Sequence, residues 1–102
     1  MVFLGDSLTA GLGVGEAEAF PEQVRLALAA QGIDIRIVNA GISGDTTAGG
    51  LARLDWVMRR EPRVLVVGLG ANDGLRGLDL NQTESNLRAI VERARAGGAR
   101  VL

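Results

Sequence analysis

The sequence contains no cysteine and no histidine. The first absence excludes disulfides and thiolate metal sites and leaves the compartment open. The second removes the side chain that most often acts as a general base near neutral pH. Lysine is missing too, so all 11 positive charges are arginines. That bias suggests a GC-rich coding sequence and carries no functional weight. Net charge is −1 with the signs interspersed, which offers no basic face for nucleic acid and no acidic tail. No apolar run approaches the roughly 20 residues of a membrane-spanning helix. Met1 leads directly into a strand-like segment without a basic n-region or an apolar h-region, a pattern equally consistent with a leader removed or never present.

What is present is a chain of 102 residues that is 47% apolar. That is enough for one small folded domain and too apolar for a disordered chain. Met1 to Leu4 and Val64 to Val67 are continuously apolar, as expected of central parallel strands covered on both faces. Ile33, Ile35 and Ile37 alternate with Asp34 and Arg36 before Val38, which predicts a second strand ending at Asn39. Arg100-Val101-Leu102 reads as the start of a fourth.

Between these lie three helical patterns. The first opens at Phe20-Pro21, carries Phe20, Val24, Ala27 and Leu28 on one face and stops at Gln31-Gly32. The second is predicted from about Ala48 to Arg60, with Leu51, Leu54 and Met58 on one face, and ends before Pro62. The third is expected to begin at a capping box of Asn81 and Glu84 and to bury Leu87, Ile90, Val91 and Ala94. The βαβαβαβ alternation predicts a parallel sheet with helices on both faces.

In such a sheet every loop after a strand lies at one edge, where open α/β folds place their working residues. Those loops hold Ser7, the run Asn39 to Thr46, and Gly70-Ala71-Asn72-Asp73. A hydroxyl, a backbone N–H at Gly44 unshielded by a side chain, and an amide donor at Asn72 are the parts of an acyl-transfer site without its base.

Three segments in this order and spacing, Gly-Asp-Ser-Leu at 5 to 8, Ser-Gly-Asp at 43 to 45 and Gly-Ala-Asn-Asp at 70 to 73, resemble the first three sequence blocks of the SGNH, or GDSL, hydrolases. The runs Asn39 to Thr46 and Asn72 to Gly77 are similar to the bacterial branch of multifunctional acyl-CoA thioesterase, arylesterase and lysophospholipase. The resemblance implies an α/β fold, a three-layer αβα arrangement around a flavodoxin-like parallel sheet with its C-terminal part missing, residues 1–102 being the N-terminal portion of a single domain. It implies that Ser7 is the nucleophile and that the Ser7 N–H, the Gly44 N–H and the Asn72 amide form an oxyanion hole. It further implies a small acyl ester or thioester substrate, no metal or organic cofactor, and a bacterial periplasmic or secreted setting. The family's C-terminal Asp-x-x-His is absent, so the chain alone is expected not to turn over. Ala71 stands where the close branch often has glycine.

Around these residues the expectations are more ordinary. Asp6 is read as a loop-ordering acceptor, Asp45 and Thr46 as caps for the second helix, Asp73 as a supporting carboxylate, and Trp56 as packing. Leu75 and Leu78 are candidates for an acyl-pocket loop. Taken alone, Ser7 reads equally well as a helix N-cap. Rival functions are a carbohydrate acetylesterase of the same fold, a nucleotide-binding module built on Gly11-Leu12-Gly13-Val14-Gly15, and a non-catalytic α/β module.

Overall fold

The computed structural model describes residues 1–102. Its centre is β1 (Val2–Gly5), which pairs in parallel with both β2 (Val38–Gly41) and β3 (Val64–Gly68); β3 in turn pairs with the two-residue β4 (Arg100–Val101). The strand order β2-β1-β3-β4 is the flavodoxin-like order, whose switch point lies between β1 and β3. Val2 and Leu4 point to one face, where they join Leu54, Val57, Leu65, Ile90 and Ala94 in the main core. These partners come from α4 (Leu54–Met58), β3 and α6 (Leu80–Ala96).

Phe3 points to the opposite face, as the twofold period of a strand requires. There it meets the ring of Phe20 edge-on at 5.3 Å between centroids, so α2 (Phe20–Ala30) forms the third layer. That layer is thin. Val24 and Leu28 are half-buried while Phe20 and Ala27 remain exposed.

The sequence reading misplaces β2. Ile33 to Ile37 are not in a strand, and pairing begins at Val38 opposite Val2. Ahead of that register the Met1 ammonium donates to Arg36 O and the Met1 carbonyl accepts the Val38 N–H, each at 3.0 Å. No backbone bond from β1 reaches Ile33 to Ile35, and a strand exists only where it has a partner. Nor does β2 stop at Asn39, since it runs on through Ala40 and Gly41. Small residues are needed there because α1 (Ser7–Ala10) crosses directly over β2. A Cβ on Gly41 would run into the backbone of Ala10 and Asp6.

The second helix is divided. α3 (Thr47–Ala52) and α4 are separated by Arg53, whose φ of −102° and ψ of 5° leave the α basin. The cap of α6 is Asp79, not Asn81, because its side chain accepts from the Asn81 N–H at 2.8 Å. Asn86, Ile90 and Ala94 form the fully buried face of α6, whereas Leu87 and Val91 are half-buried. The latter two line an open groove with Leu80 and Thr83.

Candidate active site

The working edge of the sheet is built on one register. Gly5 of β1 is level with Gly41 of β2 and Gly68 of β3, so Ser7, Gly44 and Asn72 follow three strand ends that start side by side. Gly5 leads to Asp6, which caps the single turn α1 by accepting the Leu8 N–H at 3.0 Å. The expected loop after β1 therefore contains a helical turn, and Ser7 is its first residue, not its cap. A first helical position has no intrahelical acceptor for its N–H. Asp6 is buried, and its role is the ordering one expected of it.

The loop after β2 makes a turn closed by donation from the Asp45 N–H to Ile42 O at 3.1 Å, in which the Gly44 N–H takes no part. Gly44 has a φ of 81°, the left-handed value that the third residue of a type II turn requires. Thr46 caps α3, accepting the Gly49 N–H, as expected. Asp45 is not itself the cap: its carboxylate receives the Thr46 N–H and the guanidinium of Arg53.

After β3 comes a further short helix, α5 (Ala71–Leu75), in what the sequence reads as plain loop. Asn72 lies in it and donates from Nδ2 to Asp45 O at 2.9 Å. That bond joins the second loop to the third and leaves the other amide proton uncommitted. Asp73 is buried, receiving Thr47 N–H at 2.8 Å, Thr47 Oγ1 at 2.7 Å and Thr83 Oγ1 at 3.2 Å. Burial by itself pushes its carboxyl up, but the bonds from Thr47 and Thr83 outweigh that and hold it below its ordinary value. It ties α3, α5 and α6 together beneath the edge. Asn86 extends the network by donating to Thr47 Oγ1.

Leu75 and Leu78 are not gathered into a pocket. They are 85% and 45% exposed, and neither lines a concavity. A cavity of ≈ 270 Å³ does lie at the switch point, between the ends of β1 and β3, lined by Asp6, Leu8, Phe20, Val67 and Leu69 among others. The Gly11 to Gly15 run follows α1 and precedes a 3-10 turn at Glu16–Glu18. It thus lacks the direct strand-to-helix placement of a dinucleotide loop.

Two arginines complete the site. Arg53 bonds Asp45 and the carbonyls of Gly5 and Ala40, and Arg76 Nη2 donates to Gly44 O at 2.7 Å. Neither is marked by a motif. Charge spacing does not single Arg53 out either, since five other arginines also have no acidic residue three or four positions away.

The family model for GDSL-like lipase/acylhydrolases matches residues 3–102. The chain belongs to this family of ester hydrolases. It is 46% identical over its whole length to the esterase TesA of Pseudomonas aeruginosa. To thioesterase 1/protease 1/lysophospholipase L1 of Escherichia coli K12 it is 41% identical. It covers 51% of the former and 48% of the latter, so it spans about half the length of these relatives. Among solved structures, TesA superposes with a TM-score of 0.95 at 44% identity, over 98% of this chain and 56% of that one. AlinE4, an SGNH-hydrolase family esterase, gives 0.93 at 41%, over 98% and 55%.

Proposed function

We propose that this chain carries the nucleophile and oxyanion hole of a serine hydrolase acting on carboxylic esters or thioesters. The observation that carries the reading is the bond from Asn72 Nδ2 to Asp45 O, which sets an amide donor beside the Gly44 turn at the edge where Ser7 emerges. Ser7 Oγ attacks the acyl carbonyl carbon, and the carbonyl electron pair moves onto oxygen. The Ser7 N–H, the Gly44 N–H and the free Asn72 amide proton donate to that oxyanion. Such donors stabilise charge that exists only in the transition state, and losing one typically slows the reaction about 100- to 1000-fold. Collapse expels the alcohol or thiol, and water releases the acid from the acyl-enzyme.

With no histidine among the 102 residues, the base that takes the Ser7 proton comes from outside them. The experiment joins this chain to the remaining half of the P. aeruginosa esterase TesA, to which it is 46% identical. A fluorophosphonate should label Ser7 quickly in the joined protein and slowly or not at all in the 102-residue chain. Ser7→Ala should abolish both labelling and hydrolysis of short acyl esters. A folded joined protein that ignores probe and esters alike defeats the reading.

A further inference from the structure

We propose that Arg53 is a positioning residue that sets the spacing between the nucleophile and the oxyanion donors; this rests on the acyl-transfer reading above. Arg53 sits at the break between α3 and α4, and its guanidinium engages three separate segments. Nε donates to Asp45 Oδ2 at 2.8 Å, Nη1 to Ala40 O at 2.7 Å and Nη2 to Gly5 O at 3.0 Å, with Nη2 also 2.8 Å from Asp45 Oδ2. Both charged side chains are largely withdrawn from water, at 18% and 12% exposure.

The three acceptors occupy telling places. Gly5 is two residues before Ser7, Ala40 lies within β2, and Asp45 immediately follows Gly44. Asp45 also presents the carbonyl that holds Asn72. One planar group therefore fixes the end of β1, the end of β2 and the turn bearing Gly44, and through Asp45 it reaches Asn72. A guanidinium holds its five N–H bonds in one rigid plane, whereas a lysine ammonium is a point charge on a flexible stem. Lysine can keep the charge pair and cannot keep the plane. Displacing catalytic groups by about 1 Å is enough to lose roughly 100-fold in rate.

The test uses the joined protein described above, with Arg53→Lys, Arg53→Ala and Asp45→Asn. In Arg53→Lys, kcat should fall about 10- to 100-fold with KM changed less than about threefold, because the donors act in the transition state alone. Phosphonylation of Ser7 should slow by the same factor as kcat. Added guanidinium ion should restore much of the lost rate in Arg53→Ala. Should Arg53→Ala fail to fold, Asp45→Asn serves instead, with an expected loss in kcat of about tenfold. In the 102-residue chain itself, the Gly44 amide and Asn72 side-chain signals should shift in Arg53→Lys. Arg53→Lys with kcat within twofold of the parent, or a loss carried by KM with phosphonylation unchanged, overturns the positioning role while leaving the hydrolase reading in place. A parent that never reacts with the probe overturns the hydrolase reading itself.

Discussion

Gly44 adopts a φ of 81°, and a Cβ there would meet nothing closer than Arg76 Nη2 at 3.5 Å. Alanine at this position is opposed by backbone strain, not by crowding, at about 1–2 kcal/mol. Gly13 is the control, with a φ of 84° and open space around it. Both Gly44→Ala and Gly13→Ala should lower the urea midpoint by similar amounts. In the joined protein only Gly44→Ala should slow ester hydrolysis.

Asp73 adds a pH dependence. Its carboxyl is held below the ordinary value of 3.8. Its contribution to stability is thus complete above that value and lost as pH falls through the lowered one. Urea unfolding followed from pH 7 down to 3 should show Asp73→Asn less stable at neutral pH by about 2 kcal/mol. The variant's acid limb should also be flatter than that of the parent. Ser7, Gly44 and Asn72 stand out in the sequence because residue type and spacing carry the chemistry proposed for them. Arg53 does not, because two of its three acceptors are main-chain carbonyls, which every position has.

At the level of elements, the alternation of Ile33, Ile35 and Ile37 is a genuine strand pattern, and it fails because pairing is not a local property. The β1–β2 ladder runs from Val2 opposite Val38, Met1 bonds only Arg36 O and the Val38 N–H ahead of it, and Ile33 to Ile35 have no strand beside them. Local chemistry also mislocates the start of α6, where Asn81 and Glu84 mimic a cap. The bond from the Asn81 N–H goes to Asp79 Oδ1. Asp79→Ala should therefore cost about 1 kcal/mol in thermal or urea unfolding. Asn81→Ala should be close to neutral in the same measurement. By contrast, α2 ends where Gln31-Gly32 predicts, since a C-terminal glycine signal needs no tertiary partner.

The whole molecule is a slab, 42 × 34 × 19 Å. It leaves 6330 Å² accessible, against about 5,500 Å² for a typical monomer of its 10.6 kDa mass. The excess is partly apolar: Leu8, Leu12, Leu75, Leu80 and Leu102 are all exposed, and the groove on α6 adds half-buried Leu87 and Val91. The outer strands β2 and β4 each have one partner, leaving hydrogen-bonding edges open. Analytical ultracentrifugation of the 102-residue chain should show association that rises with concentration, and the protein should bind the dye ANS. A monodisperse monomer that binds no dye at high concentration would contradict this view of the surface.

The position of β1 at the middle of the sheet also bears on how the chain acquires its fold. The earliest of the four strands in this sequence is the one that pairs on both sides, and its second partner is complete only once Gly68 has been synthesised. Parallel pairing across such separations is slow, since loop closure must precede the contacts that reward it. During translation Val2, Phe3 and Leu4 can pair with β2 once Gly41 is made, but their other flank stays open until β3 emerges, so the segment leading into Ser7 is not held on both sides until then.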